Sequence, residues 1–216
     1  LLVMHQSRSL ALRAFCLGLM GLAASYPVRA DSIVAWGNNF NGVVRDAPTG
    51  NDFTAVAAGS YNGYALRSDG SIAVWGDNDY NLVSNAPTGT GFTAIAAATN
   101  TGFALRADGS IAAWGDNNYG MISGAPTGTG FIAIAAMAYS AVALRSDGTI
   151  AAWGSNYYST PTGTDFTAIA NGSDNAFALR SDGSIAAWGY NYAGQVSGTP
   201  TGTGFTAIAA ATNTGF

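Results

Sequence analysis

Residues 65–76 read ALRSDGSIAVWG, and near copies of this stretch return three times along the chain, as ALRADGSIAAWG at 104–115, ALRSDGTIAAWG at 143–154 and ALRSDGSIAAWG at 178–189. In each copy, Ala-Leu-Arg is typical of a short strand, and the run from Ile to Trp is typical of a second strand. The Asp-Gly between them predicts a turn in which Gly takes a positive φ. The stretch therefore predicts a β-hairpin, with its turn glycines at Gly70, Gly109, Gly148 and Gly183.

A larger repeat surrounds each hairpin. Its period is marked by five tryptophans spaced 39, 39, 39 and 35 residues apart: Trp36, Trp75, Trp114, Trp153 and Trp188. Each unit begins with a strand of the type Phe-Thr-Ala-Ile-Ala-Ala, and a long turn-rich loop follows its hairpin. In the first unit we expect strands over residues 53–58, 64–67 and 71–75. Three antiparallel strands that are apolar on both faces predict a β-propeller blade, with a solenoid as the alternative architecture.

The number of units sets the expected extent of the propeller. Four whole units begin at Phe53, Phe92, Phe131 and Phe166, and partial units lie at residues 31–37 and 205–216. One unit is four residues shorter than the others, between Trp153 and Pro161. We therefore expect an all-β fold, a propeller of four whole blades and two partial ones over residues 31–216, incomplete at the C-terminus.

The first thirty residues differ from the repeats and predict a signal peptide. An apolar run of twelve residues, AFCLGLMGLAAS at 14–25, follows a basic start and is too short to span a bilayer. The alternative is a buried N-terminal helix. Removing residues 1–30 leaves five Arg against twelve Asp, a net charge of −7, which disfavours nucleic acid as a partner. We expect an exported protein, extracellular, periplasmic or at the cell surface, without membrane insertion of the mature chain.

The residue types argue against catalysis and against a cofactor. His5 and Cys16, the only His and the only Cys, both lie in the predicted signal peptide, so the repeats lack a base for a nucleophile. Asp69 and its repeat equivalents fit a turn role better than a metal or acid role. The tryptophans are expected to anchor blades rather than to stack on a ligand. The equivalent Arg67, Arg106, Arg145 and Arg180 are expected to pair with Asp or bond carbonyls, with an anion site as the alternative.

The full pattern of a unit resembles the regulator of chromosome condensation repeat family. The pattern Ala-Leu-x-x-Asp-Gly-x-Ile-x-x-Trp-Gly-x-Asn-x-x-Gly-Gln carries this resemblance, and residues 188–195, WGYNYAGQ, hold the fullest copy of its end. The resemblance implies a seven-bladed propeller. The short period is most similar to the bacterial exported branch that includes β-lactamase inhibitor protein II, which implies three-stranded blades. Family members often carry His before the Ala-Leu strand, where this chain has Asn62, Thr101, Ser140 and Asn175.

The leading hypothesis for function is a non-enzymatic module that binds another protein. One alternative is a carbohydrate-active propeller enzyme. The other is a guanine-nucleotide-exchange regulator, and the predicted export and the negative charge disfavour this second alternative. The loop between the first two strands varies while the strands barely change, and variation of this kind marks a binding face. Its second residue is Tyr61, Asn100, Tyr139 or Asp174 in successive units. These four positions are the predicted partner-binding residues, and we expect Tyr61 and Tyr139 to contact the partner.

Overall fold

The computed structural model describes residues 2–5, 32–155, 160–211 and 215. Within them the chain is all-β, as predicted. The strands are β1 (Leu2–His5), β2 (Ser32–Ala35), β3 (Phe53–Ala58), β4 (Asn62–Arg67), β5 (Ile72–Gly76), β6 (Phe92–Ala97), β7 (Thr101–Arg106), β8 (Ile111–Gly115), β9 (Phe131–Met137), β10 (Ser140–Arg145), β11 (Ile150–Gly154), β12 (Phe166–Asn171), β13 (Asn175–Arg180) and β14 (Ile185–Gly189). Short 3-10 helices lie at Phe40–Gly42, Asp79–Asn81 and Asn118–Gly120.

The twelve strands from β3 to β14 form four three-stranded antiparallel sheets, one for each whole unit of the sequence. In each sheet the second strand is central, as in the order β3-β4-β5. The prediction of four three-stranded blades is therefore confirmed. The first strand of the first blade has the predicted bounds, whereas β4 begins at Asn62, two residues before the predicted start.

The hydrophobic core lies between consecutive blades rather than within one of them. One cluster joins Tyr64 and Leu66 of the first blade to Phe92, Ile95 and Trp114 of the second. Equivalent clusters join the second blade to the third and the third to the fourth. Each sheet buries residues on both of its faces because it is packed between two neighbours. The apolar character of both strand faces in the sequence has this physical origin.

The tryptophans of the four whole blades are core residues that reach into the preceding unit. Trp75, Trp114, Trp153 and Trp188 are each 5–6% exposed. The indole N–H of Trp114 donates to the Leu82 carbonyl at 3.0 Å, and Trp75 and Trp153 make the same bond to Val43 and Met121. Trp188 follows the shortened unit, and its indole N–H has no acceptor among the described residues.

Trp36 differs from this set and corrects the expectation of five equivalent core anchors. Its side chain is 45% exposed. The other indole groups pack against a loop and a strand supplied by the preceding copy of the repeat. Trp36 precedes the first whole unit, and the residues before it in this sequence are not a copy of the repeat. The shared sequence pattern therefore does not by itself predict that Trp36 is buried.

The hairpin turns bring consecutive units together at one end of the blades. Gly70, Gly109, Gly148 and Gly183 have φ of 78–79°, as this turn requires. At Gly109 a Cβ atom would meet the Gly130 nitrogen at 2.5 Å, because the next unit passes directly over the turn. Phe131 N donates to the Gly109 carbonyl at 3.1 Å across this contact. We call this end of the blades the turn face.

Arg and Asp residues of the turn face are engaged in local contacts. The guanidinium groups lie 4.1–4.7 Å from the centroids of phenylalanine rings at the start of each first strand: Arg67 over Phe53, Arg106 over Phe92, Arg145 over Phe131 and Arg180 over Phe166. Arg67 and Arg180 are also ion-paired with Asp52 and Asp165. Asp69 Oδ1 accepts the Ser71 N–H at 2.8 Å, and its repeat equivalents do the same. These contacts account for the repeated Asp and Arg as structural residues of the turn face.

The turn-face aspartates predict an acid-sensitive stability. Hydrogen bonds from the residue two positions on hold the pKa values of the four carboxyl groups below the ordinary range: Asp69, Asp108, Asp147 and Asp182. A folded-state pKa below the unfolded one stabilises the fold above the ordinary Asp pKa of about 4, and this stabilisation is lost as pH falls further. We expect the Tm to fall between about pH 5 and pH 2.5 and to fall less in the fourfold Asp→Asn variant. Parallel Tm curves for the two proteins would contradict this prediction.

Strand β1 falls within the predicted signal peptide. It pairs antiparallel with β2, from Leu2 opposite Ala35 to His5 opposite Ser32. The rest of the predicted signal peptide, residue 1 and residues 6–30, lies outside the described residues, so the signal peptide stays a prediction. Within the described ranges, no helix has the length and apolar character needed to cross a membrane.

Candidate partner-binding face

The loops between the first and second strands, which carry the predicted site residues, are shorter than the sequence suggests. We call them the tip loops, residues 59–61, 98–100, 138–139 and 172–174. The two positions after each tip residue already belong to the second strand. Asn62, Thr101, Ser140 and Asn175, the positions where family members often carry His, are 1–2% exposed. They are internal residues of the blades and not part of an exposed site.

These buried polar side chains hold the loops in place. Thr101 Oγ1 donates to the Asp116 carbonyl at 2.8 Å, and Asn62 Nδ2 donates to the Asp77 carbonyl. Ser140 Oγ donates to the Ser173 carbonyl of the next tip loop at 3.4 Å. Burying a polar group is costly unless it is hydrogen-bonded, and here the acceptors are carbonyl groups of the loops.

The four predicted site residues occupy equivalent positions with a fixed backbone. Each tip residue accepts a backbone hydrogen bond of 2.7–3.1 Å from the second residue after the tryptophan of its own blade: Asp77 N to Tyr61 O, Asp116 N to Asn100 O, Ser155 N to Tyr139 O and Tyr190 N to Asp174 O. Neighbouring tip loops are also connected, since Ser60 N donates to Thr99 O and Thr99 N donates to Ala138 O. The tip residue thus keeps this hydrogen bond in all four blades while its side chain differs from blade to blade.

The tip side chains point to solvent to different extents. Tyr61 and Tyr139 are 46% and 40% exposed, Asp174 is exposed and Asn100 is half-buried. A row of fixed backbone positions with exposed, non-identical side chains can present a specific surface to another molecule. We call this end of the blades, opposite the turn face, the tip face.

A second set of loops shares the tip face and is absent from the site predicted from sequence. These exit loops follow the third strand and comprise residues 38–45, 77–84, 116–123 and 190–197. Because the third strand is antiparallel to the second, its end lies beside the start of the second strand, as in the pairing of Gly76 with Asn62. The interpretation that variation is confined to the tip loops is therefore incomplete. The exit-loop sequences also differ between units. The antiparallel order of the strands is the sequence signal that could have placed these loops on the tip face.

One asparagine organises each exit loop. Asn78 Oδ1 accepts the N–H groups of Val83 and Ser84, both at 2.9 Å. Asn39, Asn117 and Asn191 make the same pair of bonds in their own loops. This asparagine is the one in the Trp-Gly-x-Asn segment of the repeat, so the repeat pattern itself predicts a fixed exit loop.

The fixed exit loops hold aromatic side chains away from the core. Tyr80 and Tyr119 are at least half exposed and have φ of 59° and 61°. This left-handed conformation is unfavourable for a bulky residue and is retained only where the surroundings impose it. Exposed aromatics of the other exit loops are Phe40, Tyr190 and Tyr192. The equivalent Asn41 has a φ of 56°, so this backbone conformation belongs to the loop, and the loop presents whichever side chain stands there to solvent.

Exit loops contact the tip loops of the following blade through these rings. Phe40 lies 5.9 Å from Tyr61, and Tyr119 lies 4.9 Å from Tyr139, measured between ring centroids. Tyr190 and Tyr192 stack on each other at 6.1 Å within one exit loop. The tip face thus carries aromatic pairs that bridge the junctions between units, and Tyr61 and Tyr139 each belong to one of them.

The charges of the tip face are mainly negative. Asp77, Asp79, Asp116 and Asp174 lie in its loops, whereas four of the five described arginines lie at the turn face. The fifth, Arg45, forms a bidentate ion pair with Asp46 at 2.7 and 2.8 Å. Lys is absent from the whole sequence. Among the described residues, His, Cys, Asp and Glu form no group of three or more that could hold a metal ion.

A family model matches two of the repeats. The model of the regulator of chromosome condensation (RCC1) repeat matches residues 53–81 and 166–195. These segments are the first and fourth blades with their exit loops, and the two blades between them share the same sequence pattern. The fold is that of a β-propeller, and the matched segments confirm the resemblance of its first and fourth blades to the RCC1 repeat.

Solved structures show the same architecture. The ectodomain of the Physcomitrella patens receptor kinase CR4 superposes with a TM-score of 0.69 at 23% identity, over 85% of this chain and 52% of that one. The CRINKLY WD40 ectodomain of the Arabidopsis thaliana receptor kinase ACR4 gives 0.64 at 27% identity, over 83% and 65%. Prp20p from Saccharomyces cerevisiae gives 0.58 at 18% identity, over 71% and 49%. This chain thus spans about half to two thirds of their lengths. No curated protein sequence matches it.

Proposed function

We propose that this chain is an exported, non-enzymatic recognition module that binds another protein through its tip face, in the manner of the bacterial exported branch that includes β-lactamase inhibitor protein II. The observation that carries the proposal is the set of exposed aromatic side chains on fixed tip and exit loops. Tyrosine is favoured at the centre of protein interfaces because it buries a large area, has few rotatable bonds and keeps a polar end.

Relatives of the fold support a role in recognition. Two of the similar structures are ectodomains of plant receptor kinases. Prp20p is described with binding properties towards Gsp1p and histones, and another structure of it holds the protein Kap60. These propellers therefore serve in extracellular parts of receptors and in protein binding, which favours protein recognition here and is compatible with export.

A binding role is favoured over catalysis because the carboxylates of the turn face are committed to structure. Asp69 and its equivalents hold the hairpin turns, and Asp52 and Asp165 pair with arginines. Hydrolysis of glycosides requires two carboxyl groups in unlike environments on either side of a substrate. A screen of glycoside substrates with the purified chain tests this part of the proposal, and turnover of any of them would contradict it.

The binding role is tested by replacing Tyr61 and Tyr139 with asparagine. Asn100 occupies the equivalent tip position of the second blade, so the loop accommodates this residue. We expect the double variant to lose roughly tenfold to a hundredfold in affinity for its partner, because two tyrosine anchors are removed. The measurement is capture of proteins from the envelope and medium of the producing organism, followed by titration of the captured partner.

The matched control changes an exposed apolar residue at the opposite end of the third blade. Ile132 is exposed at the start of β9 near the turn face, and the other whole blades have Thr at this position. Ile132→Thr should leave capture unchanged. Equal capture by wild type and the Tyr61→Asn, Tyr139→Asn variant would show that the tip face is not the binding surface.

A further inference from the structure

The tip face combines aromatic rings with carboxylates. Asp77 and Asp79 lie in the same exit loop as Tyr80, with Asp79 directly before it in the chain. Asp174 is the tip residue of the fourth blade and is exposed. A surface with this composition can attract a cation both through its carboxylates and through the faces of its tyrosine rings.

Four of the five described arginines lie elsewhere, and the fifth, Arg45, is in the first exit loop. Arg67, Arg106, Arg145 and Arg180 stack on phenylalanine rings at the turn face, at the far end of the central strands. Arg45 is neutralised by Asp46, and the sequence has no Lys. Among the described residues, four of the five arginines thus lie at the turn face and the fifth is paired with Asp46, whereas Asp77, Asp79 and Asp174 at the tip face form no ion pair.

We infer that the partner of the tip face is a protein whose contact surface is basic, with Arg or Lys side chains placed over the tyrosine rings and beside Asp77, Asp79 and Asp174. This inference rests on the proposed function and adds the chemistry of the partner to it. Complementary charge steers association and excludes partners of like charge. The stacking of a guanidinium or ammonium group on Tyr adds a contact that a neutral partner does not make.

The chain itself supplies conservative replacements that test the charges. Asn38 occupies the position of Asp77 and accepts the N–H of Phe40, just as Asp77 accepts that of Asp79. Asn118 occupies the position of Asp79, and Asn100 that of Asp174. The triple variant Asp77→Asn, Asp79→Asn, Asp174→Asn therefore removes three charges with residues that these loops already accept.

The matched control removes the same number of charges from the turn face. Asp69, Asp108 and Asp182 act as acceptors of one backbone N–H each, and an asparagine oxygen can accept the same bond. The variant Asp69→Asn, Asp108→Asn, Asp182→Asn thus has the same net charge as the tip-face variant. Any difference in binding between the two variants reports the position of the charges rather than their number.

The experiment uses a phage-displayed library of random peptides selected on the full chain. Counter-selection on the Tyr61→Asn, Tyr139→Asn variant keeps only peptides that need the tip face. We expect the retained peptides to be enriched in Arg and Lys. A synthetic copy of the strongest binder should lose about tenfold in affinity with the tip-face triple variant and less than about twofold with the turn-face variant. Its affinity should also fall between ionic strengths of about 0.01 and 0.15 M.

Each result separates this inference from the proposed function. Peptides that need the tip face but carry no excess of Arg and Lys would overturn the inference and leave protein recognition intact. Equal losses of affinity in the two triple variants would overturn it as well, because the attraction would then come from net charge alone. If selection yields no peptide that depends on Tyr61 and Tyr139, both the inference and the proposed function fail.

Discussion

Trp114→Ala is expected to lower the free energy of unfolding by about 3–5 kcal/mol, the range for truncating a large core aromatic. The indole of Trp114 lies in the cluster between the first and second blades, 6.0 Å from the Tyr64 ring. Its N–H donates to the buried Leu82 carbonyl, which would lose its partner in the variant. The loss therefore combines a cavity between two blades with a broken connection to the preceding exit loop. Equilibrium denaturation in urea measures it.

Trp36→Ala is the control for this prediction. Trp36 has the same sequence context but is 45% exposed, so its truncation leaves a much smaller cavity. We expect a loss of less than about 1 kcal/mol. Losses of similar size in the two variants would contradict the packing described for the whole blades.

The second large effect is expected for Gly109→Ala, at the hairpin turn of the second blade. The added Cβ would meet two backbone nitrogens at the junction with the third unit, Gly130 N at 2.5 Å and Phe131 N at 2.7 Å. Neither neighbour is a side chain that could rotate away, so the turn or the following unit must move. Gly109 also has a φ of 79°, which disfavours any residue with a Cβ. Because of the clash and this strain, we expect the free energy of unfolding to fall by roughly 2–5 kcal/mol.

Gly128→Ala separates the two causes. Gly128 has a φ of 96°, but no atom lies within 4 Å of its added Cβ. This variant therefore includes the backbone strain without the steric clash, and we expect it to lose about 1–2 kcal/mol. The same urea denaturation measures both proteins. Equal decreases in the free energy of unfolding for the Gly109 and Gly128 variants would show that the contact between the next unit and the hairpin turn does not contribute to stability.

The strands could be predicted from the sequence because the repeat shows each of them four times. A local rule that is weak in one copy, such as a Ser-Asp-Gly turn between two apolar runs, becomes reliable when it recurs at a fixed period. The boundary at Asn62 was missed because a polar residue followed by Gly is typical of a loop. Its burial depends on the carbonyl of Asp77, fifteen residues further along the chain, which no local pattern reveals.

The residues of the candidate binding face were predicted in part. Tyr61 and Tyr139 were selected because the tip loops vary between units, and the structure places both on the tip face. Tyr80 and Tyr119 were missed because their loops appear in sequence as connections to the next unit. The pairing of Tyr119 with Tyr139 depends on contact between consecutive units and cannot be derived from either segment alone. The repeat pattern likewise could not predict that Trp36 is exposed, because the residues around Trp36 match those around the buried tryptophans.

The central claim, that the tip face binds a protein, is tested most directly by site-specific photo-cross-linking. A benzophenone amino acid is placed at Tyr139 in one protein and at Ile132 in another, so the probes lie at opposite ends of the third blade. The account predicts cross-links to a partner protein from position 139 and none from position 132. Cross-links from position 132 alone, or with equal yield from both, would contradict it.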